Sequence, residues 1–354
     1  MAKVSPYQTK AGKLWEVRYN KPDRTQTRRR GFKTKRDATL WMNGVEVSKS
    51  EGNYVDPTAG KVTLKELGEA WMSRQVHWKP SYRRSIESSW NTHILPHWGK
   101  WPVASITRSE LQSWIASIGK SRSTASRCAT IMSSILKDAV EDQLIHSNRA
   151  ANLSLPPKQE QSRMYLNHRQ VEAFAEAAGG KGLVILTLAY TGLRWGELAG
   201  LHGPDVDVTG RRISVNRNAV EVGGKIVVGT PKNHELRTLR IPKFLADELK
   251  GNVPEGIVFP NSRGNYAQPP RASEKSRSWF KDALDQMDFR LTPHDLRHTA
   301  ASLAVSSGAN VKAVQRMLGH KSAAMTLDVY SDLFDSDLES VADSLDAARA
   351  KALG

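Results

Sequence analysis

The sequence predicts a mainly α, multidomain protein with small β-sheets. Residues 1–57 read as a small β-sheet plus helix N-terminal domain, 58–157 as a helical domain and 158–354 as a mixed α+β domain. Three observations lead there. At about 150 residues per domain, a chain of 354 residues has room for two or three domains. The breaker-rich stretches Asp56-Pro57-Thr58-Ala59-Gly60 and Asn152-Leu153-Ser154-Leu155-Pro156-Pro157 punctuate it. Strand patterns are confined to the first part and to a short region of the last, and apolar stripes at helical spacing fill the rest.

In the first part, Trp15, Val17 and Tyr19 alternate with other residues, the period of a strand with one buried face. Lys21-Pro22-Asp23-Arg24 reads as a turn, with Pro pre-setting its backbone angle. A second strand runs from Thr25 to Phe32. Thr34 is an N-cap for a helix from Lys35 to about Lys49 that puts Ala38, Trp41, Met42 and Val45 on one face. In the second part, Thr63 caps a helix bearing Leu64, Leu67, Trp71 and Met72, and Pro80 starts another carrying Tyr82, Ile86 and Trp90. After the breakers Pro96 and Gly99, Thr107 precedes Leu111, Trp114 and Ile115, and Ser121 or Ser123 precedes a helical run to Ile145. The third part begins with helices over 167–178 and from Leu183 to about Leu201. Strands follow near Arg212–Asn216, Ala219–Val228 and Leu236–Ile241, with turns at Gly223-Gly224 and Asn233-His234, and the remainder reads as helical.

Lys and Arg number 52 against 36 Asp and Glu, a net charge of +16 that argues for a polyanionic partner. The first 57 residues alone hold 13 basic and 6 acidic residues. Arg28, Arg29 and Arg30 share one strand, with Lys33 and Lys35 close behind, a pattern that suits phosphate contact. Arg83, Arg84, Arg122 and Arg127 fall where a helical module would meet a nucleic-acid backbone. Cys128 is the only cysteine, which excludes an intrachain disulfide framework and a multi-thiolate metal site and fits a reducing compartment. The apolar run from Gly182 to Tyr190 is too short to span a bilayer, and Met1 to Lys10 lacks the apolar core of a signal peptide. The expectation is a soluble, cytoplasmic protein with no membrane partner.

No nucleotide-binding glycine loop of the G-x-x-x-x-G-K-[ST] or strand-linked G-x-G-x-x-G kind is present. His294 and His298, four apart, would share a helix face. Asp295 stands where H-E-x-x-H requires Glu, however, and Arg297 on the same face would repel a cation. With the sign reversed the face makes sense: His294 and Arg297 present hydrogen-bond donors to an anion, and an arginine fork matches phosphate geometry. Elsewhere, Arg194 follows an apolar helix in Thr191-Gly192-Leu193-Arg194-Trp195-Gly196-Glu197-Leu198, with Glu197 placed to hold it. Leu318-Gly319-His320 ends another helix, and Tyr330 comes ten residues after His320.

Together these segments resemble the tyrosine recombinase (phage integrase) family. Its first box resembles T-G-L-R-x-x-E-L, its second H-x-L-R-H and its third L-G-H followed by a nucleophilic tyrosine, all in the right order. Trp195-Gly196 departs from the small or charged residues common before the glutamate. The resemblance implies that Tyr330 attacks the scissile DNA phosphate to leave a 3′-phosphotyrosyl link and a free 5′-hydroxyl. Arg194 and Arg297 would clamp the non-bridging oxygens, while His294 and His320 would donate to the phosphate or move the tyrosine proton. A lysine on a strand hairpin would protonate the departing oxygen; Lys232 fits best, with Lys225 as its rival. Glu197 and His298 would stand behind this set. One diester replaces another, so no cofactor, ATP or metal is required.

The resemblance extends to the first two parts, as an arm-type DNA-binding domain and a core-binding domain. It therefore implies an integrase acting on core-type and arm-type sites in double-stranded DNA, as a homotetramer, and it leaves room for a host DNA-bending protein and an excision factor. Two other readings stand beside it: a non-catalytic DNA-binding regulator that retains the fold, and a type IB topoisomerase-like relaxing enzyme. The acidic tail after Tyr330 carries Leu333, Phe334, Leu338, Val341 and Leu345 at helical spacing. It would fold onto its own domain by default; the resemblance implies docking on a neighbouring protomer.

Overall fold

In the computed structural model the chain divides into two compact units, residues 1–160 and 161–354. The structure describes residues 2–334 apart from 11, 53, 57, 58, 120, 158–163, 232–235 and 274–276, and a few positions after 344. Lys232, the Asn233-His234 turn, part of the first breaker stretch and most of the acidic tail lie outside the described residues.

The first unit opens with β1 (Lys3–Thr9), β2 (Gly12–Asn20) and β3 (Gln26–Phe32), an antiparallel sheet in the order β1-β2-β3. Two strands are expected from the sequence and the third, β1, is not. Pro6 within it argues against a strand, but β1 lies at the sheet edge, where a missing N–H is tolerated. Val17 and Tyr19 point from β2 into a small core with Ala38 of α1 (Lys35–Ser50), as their alternation predicts. Thr34 caps α1 by accepting from the Asp37 N–H at 3.1 Å. Trp41 meets the Tyr19 ring edge-on, 5.3 Å between centroids.

A second core in this unit gathers Trp71, Ile86, Trp98, Trp114, Ile131 and Ile135 from α2 (Leu64–Ser73), α3 (Pro80–Ser89), α4 (Leu95–Trp98), α5 (Arg108–Ser117) and α6 (Arg122–Glu141). Each buried Ile side chain here contributes about 1.5–3 kcal/mol. Capping boxes pair Thr63 with Glu66 and Thr107 with Glu110, which fixes where α2 and α5 start. Ser121, rather than Ser123, caps α6, and that helix stops at Glu141 instead of reaching Ile145. Pro96 does not end its helix: the chain widens into a π turn over Trp90–Ile94, continues through α4 and stops at Gly99.

The second unit contains α7 (His168–Ala177), α8 (Gly182–Thr191), α9 (Trp195–Ala199), β4 (Val206–Asp207), β5 (Arg212–Val215), β6 (Asn218–Val222), β7 (Lys225–Gly229) and β8 (Arg237–Arg240). After these come α10 (Lys243–Leu249), α11 (Trp279–Leu284), α12 (Asp295–Ser306), α13 (Val311–Leu318) and α14 (Ala323–Phe334). The strands form a β4-β5-β8 sheet and a β6-β7 hairpin that turns at Gly223-Gly224 as expected. The predicted helix from Leu183 to Leu201 is instead two, because Gly192 takes left-handed geometry, φ 65°, and ends α8. The stretch between α10 and α11, expected to be helical, holds turns and the isolated bridges His202–Ile257 and Pro260–Tyr266. The central helix α8 is apolar on all sides and almost wholly buried, with Ile185, Leu188 and Ala189 inaccessible. Among the described residues no helix is long and apolar enough to cross a membrane.

Candidate active site

Two glycines explain how a buried arginine is held. Gly192 ends α8 and Gly319 ends α13, both left-handed, with φ of 65° and 62°. A helix C-terminus exposes carbonyl oxygens that no N–H of the helix satisfies and carries the negative end of the dipole. Arg297, on α12, donates Nη1 to the Gly192 carbonyl and Nη2 to the Leu318 carbonyl, so its fork is fixed by the ends of two other helices. A side chain at Gly192 would put Cβ 2.6 Å from Leu318 Cδ2, closer than atoms approach. The glycines of the T-G-L-R and L-G-H boxes thus serve Arg297 of the H-x-L-R-H box. Burial, then the neighbouring Arg194, lowers the Arg297 guanidinium to about 9, and it stays charged at neutral pH.

Arg194 caps α9, and Glu197 in the first turn accepts both from the Arg194 backbone N–H at 3.0 Å and from Nη1 at 2.8 Å. The sequence shows this pair, but the second partner of Glu197 lies forty residues on. Arg237, from β8, donates Nη1 and Nη2 to the two carboxylate oxygens at 3.0 and 2.7 Å, a bidentate fork. Glu197 is 1% exposed. Burial alone would raise its pKa; the Arg237 hydrogen bonds and charge, followed by those of Arg194, outweigh it and hold the carboxyl at about 2. Arg237 is the residue that sequence reasoning missed. Its only local signal is a cation set in an otherwise ordinary short strand, and cations on strands are usually solvated. Among the described residues its Nε has no hydrogen-bond partner, and a Cβ at Gly319 would fall 3.0 Å from its Cδ and Nε, so the L-G-H glycine also makes room for Arg237.

His298 and His320 flank the tyrosine, and His294 lies against His298. His298 Nδ1 and Tyr330 Oη share a hydrogen bond of 2.7 Å, and the His294 ring meets the His298 ring edge-on at 5.0 Å. His320 lies nearly parallel to the Tyr330 ring, 6.4 Å away at an interplanar angle of 9°, and its Nδ1 pairs with Thr326 Oγ1 at 3.0 Å. Burial, then the positive charges of Arg297, Arg194, His298 and Arg237, lowers His320 to about 4, so it is neutral at pH 7. Tyr330 is 1% exposed, among Ala301, Val305, Val314 and Leu318, and its backbone departs from helical angles within α14 (φ −130°, ψ 17°). His294, by contrast, is exposed at the start of α12. The structure thus gathers Arg194, His294, Arg297, His320 and Tyr330, with Glu197 and His298, in one place; Lys225 begins β7 and is exposed. Among the described residues no three His, Cys, Asp or Glu side chains cluster as metal ligands would.

The basic residues of the first unit divide differently from the sequence pattern. Strand alternation puts Arg28 and Arg30 on one face of β3 and Arg29 on the other. Arg29 lies over the Trp41 ring at 4.9 Å, whereas Arg30 reaches Glu16 at 2.8 Å, together with Arg18. Lys33 and Lys35 are exposed beside them, with Lys35 6.0 Å from the Trp15 ring. Arg83 donates to the Gln75 carbonyl at 2.8 Å, Arg122 to the Pro156 carbonyl and Arg127 to Ser89 Oγ at 3.4 Å, while Arg84 is exposed on α3.

Comparison with known proteins agrees with this geometry. Residues 164–337 match the phage integrase family and residues 64–155 match the phage integrase central domain. The integrase of Mycobacterium phage D29 is 26% identical over 84% of this chain and 84% of its own length. The ICEBs1 integrase of Bacillus subtilis (strain 168) is 25% identical over 77% of this chain and 80% of its own. Among solved structures, the Tn1549 transposon integrase in complex with transposon right end DNA superposes with a TM-score of 0.68 at 20% identity, covering 79% of this chain and 100% of that one. A lambda integrase tetramer bound to a Holliday junction gives 0.56 at 19% identity, covering 90% and 96%. With the two family matches spanning most of the sequence and the three boxes folded around one tyrosine, the chain belongs to the phage integrase family of tyrosine recombinases, the enzymes of site-specific DNA recombination.

Proposed function

We propose that the chain cuts and rejoins duplex DNA one strand at a time through a 3′-phosphotyrosyl bond at Tyr330, to integrate or excise a phage or other mobile element. The observation that carries this reading is the arginine arrangement beside Tyr330: Arg297 fixed by two helix ends, and Arg194 fixed by a Glu197 that Arg237 also grips. Phosphoryl transfer is helped most by preorganised positive charge on the non-bridging oxygens. A guanidinium already held by backbone carbonyls needs no reorganisation when that charge develops. His320, neutral and with Nδ1 engaged by Thr326, offers Nε2 to the phosphate, and exposed His294 is a second donor to it. Lys232 is assigned the protonation of the leaving 5′-oxygen on its family position alone.

In this reading residues 1–57 bind arm-type sites, 58–157 grip the core site and 158–354 carry the chemistry. Arg28, Lys33, Lys35 and Arg84 supply phosphate contacts, and Arg30 does so from its ion pair with Glu16. Arg29, Arg83, Arg122 and Arg127, which touch their own domain, contribute as packing residues first. Assembly as a homotetramer on DNA follows the lambda integrase likeness, and a cytoplasmic place of action and partnership with a DNA-bending protein or excision factor belong to the same proposal. The family relationship favours neither the non-catalytic regulator nor the relaxing enzyme.

The test is capture of covalent protein–DNA adducts from cells carrying the source element, lysed in EDTA, for wild type and Tyr330→Phe, with sequencing of the attached DNA. Adducts lost in the variant and reads converging on one core site are expected. A wild type that is expressed and bound to DNA yet forms no adduct would contradict the reading.

A further inference from the structure

The three histidines at the tyrosine do not share one environment, and the difference suggests distinct tasks. Tyr330 must lose its phenolic proton as it attacks, and phenol, with an ordinary pKa near 10, gains from a positioned acceptor. At 1% exposure its hydroxyl has little access to bulk water, so the acceptor must come from the protein or the substrate. His320 presents its ring nearly parallel to the tyrosine ring and commits Nδ1 to Thr326. His294 sits at the exposed start of α12, against the edge of His298. His298 Nδ1 lies 2.7 Å from Oη, within the distance at which a proton passes directly between heavy atoms.

Resting on the phosphotyrosyl reading above, we infer that His298 is a catalytic residue, the base that takes the Tyr330 proton during cleavage and returns it during rejoining. In cleavage the Oη–P bond forms and the P–O5′ bond breaks. The phenolic proton passes to His298 Nδ1, and the leaving O5′ receives a proton from the acid assigned to Lys232. In rejoining the O5′–P bond forms, the Oη–P bond breaks, His298 protonates Oη and the O5′ proton returns to the acid. The surroundings favour this direction. Arg297 on the same helix, with Arg194 and Arg237 close by, stabilises a developing phenolate on Tyr330. The helix spacing explains the position: one residue after Arg297 and four after His294, His298 turns toward α14 while Arg297 turns toward the ends of α8 and α13.

The experiment measures single-turnover cleavage of a nicked duplex carrying the core site recovered by adduct sequencing. It compares wild type, His298→Ala, His298→Asn and Lys232→Ala, with DNA affinity and circular dichroism as folding controls. Asn places an acceptor near the Nδ1 position but takes no proton, so a purely structural hydrogen bond is restored by His298→Asn and a proton acceptor is not. Both His298 variants are expected to cleave about 100-fold or more slowly at pH 7 while binding DNA as wild type does. A substrate with sulfur at the bridging 5′ position, whose thiolate departs without a proton, should restore Lys232→Ala and leave His298→Asn slow. Cleavage by His298→Asn within threefold of wild type, or its restoration by the sulfur substrate, would overturn the inference. If the variants fail to fold, the wild type alone decides. Its rate should fall with acid below one ionisation in the histidine range, with His320 against the Tyr330 ring and His294 against His298 as the other titratable groups nearby, and a flat profile between pH 5 and 8 would refute the base. Wild-type adducts that vanish in Tyr330→Phe show that the phosphotyrosyl reading stands even if His298 fails; absence of wild-type adducts removes both.

Discussion

Replacing Glu197 with Gln is the perturbation whose size the structure sets most directly. The carboxylate is 1% exposed and accepts the Arg237 fork at 2.7 and 3.0 Å and the Arg194 guanidinium at 2.8 Å. Its fall from an ordinary 4.5 to about 2 corresponds to roughly 3 kcal/mol of native-state preference for the charged form. An amide removes that charge and turns a donor toward two guanidiniums, which agrees with the 3–5 kcal/mol typical of breaking one side of a buried ion pair. Local opening of α9 and β8 should therefore become roughly 100-fold more frequent. Hydrogen–deuterium exchange of peptides spanning Trp195–Ala199 and Arg237–Arg240, read by mass spectrometry at pH 7, measures it. Because the folded-state pKa lies below the unfolded one, the stabilisation is complete above about pH 4.5 and fades as pH falls toward about 2. At pH 3 the gap between wild type and Glu197→Gln should shrink to about two-fifths. Exchange in the variant within threefold of wild type at pH 7, or a gap that widens in acid, would refute the argument.

Other outcomes follow from the same geometry. Arg297→Lys keeps a charge but cannot bridge the Gly192 and Leu318 carbonyls, so cleavage should fall about 100- to 1,000-fold with DNA affinity within threefold, measured by trapped-adduct formation and gel shift. Gly319→Ala combines left-handed strain of about 1–2 kcal/mol with the Arg237 contact. Gly224→Ala meets nothing within 4 Å among the described residues, so thermal unfolding and cleavage should both suffer more in the first variant. On β3, Arg28→Ala should lower the slope of log affinity against log salt by about one on arm-site DNA. Arg29→Ala should instead cost about 0.5–1 kcal/mol of domain stability through the lost Trp41 contact, visible in urea unfolding.

Much of this architecture is legible in the sequence because its signals are local. Thr63-Glu66, Thr107-Glu110 and Thr34 mark helix starts through short-range hydrogen bonds, and the alternation of Trp15, Val17 and Tyr19 marks β2. The three boxes are legible for the same reason: each is a helix end or start whose glycine, arginine or histidine sits at fixed spacing. What escapes is set by contacts distant in sequence. Glu197 reads as a partner for Arg194, three residues away, while its stronger grip on Arg237 comes from strand pairing that places β8 beside β5. Strand β1 escapes because Pro6 is acceptable only at an edge, and which strand forms the edge is a property of the whole sheet. The split of Arg28, Arg29 and Arg30 between two faces is legible in the period of a strand, yet a run of like charges is easily taken as one patch. The break after α8 is marked by Gly192, whose left-handed geometry outweighs the apolar pattern that continues into Leu198 and Leu201.

One tyrosine, Tyr330, is assigned to carry the DNA. The most direct measurement of this is mass spectrometry of the adduct trapped on a nicked core-site duplex, digested to nucleotide-bearing peptides. A phosphodiester-linked nucleotide on Tyr330 and no adduct from Tyr330→Phe are expected; a nucleotide on any other residue, or an adduct that survives the substitution, would overturn this assignment.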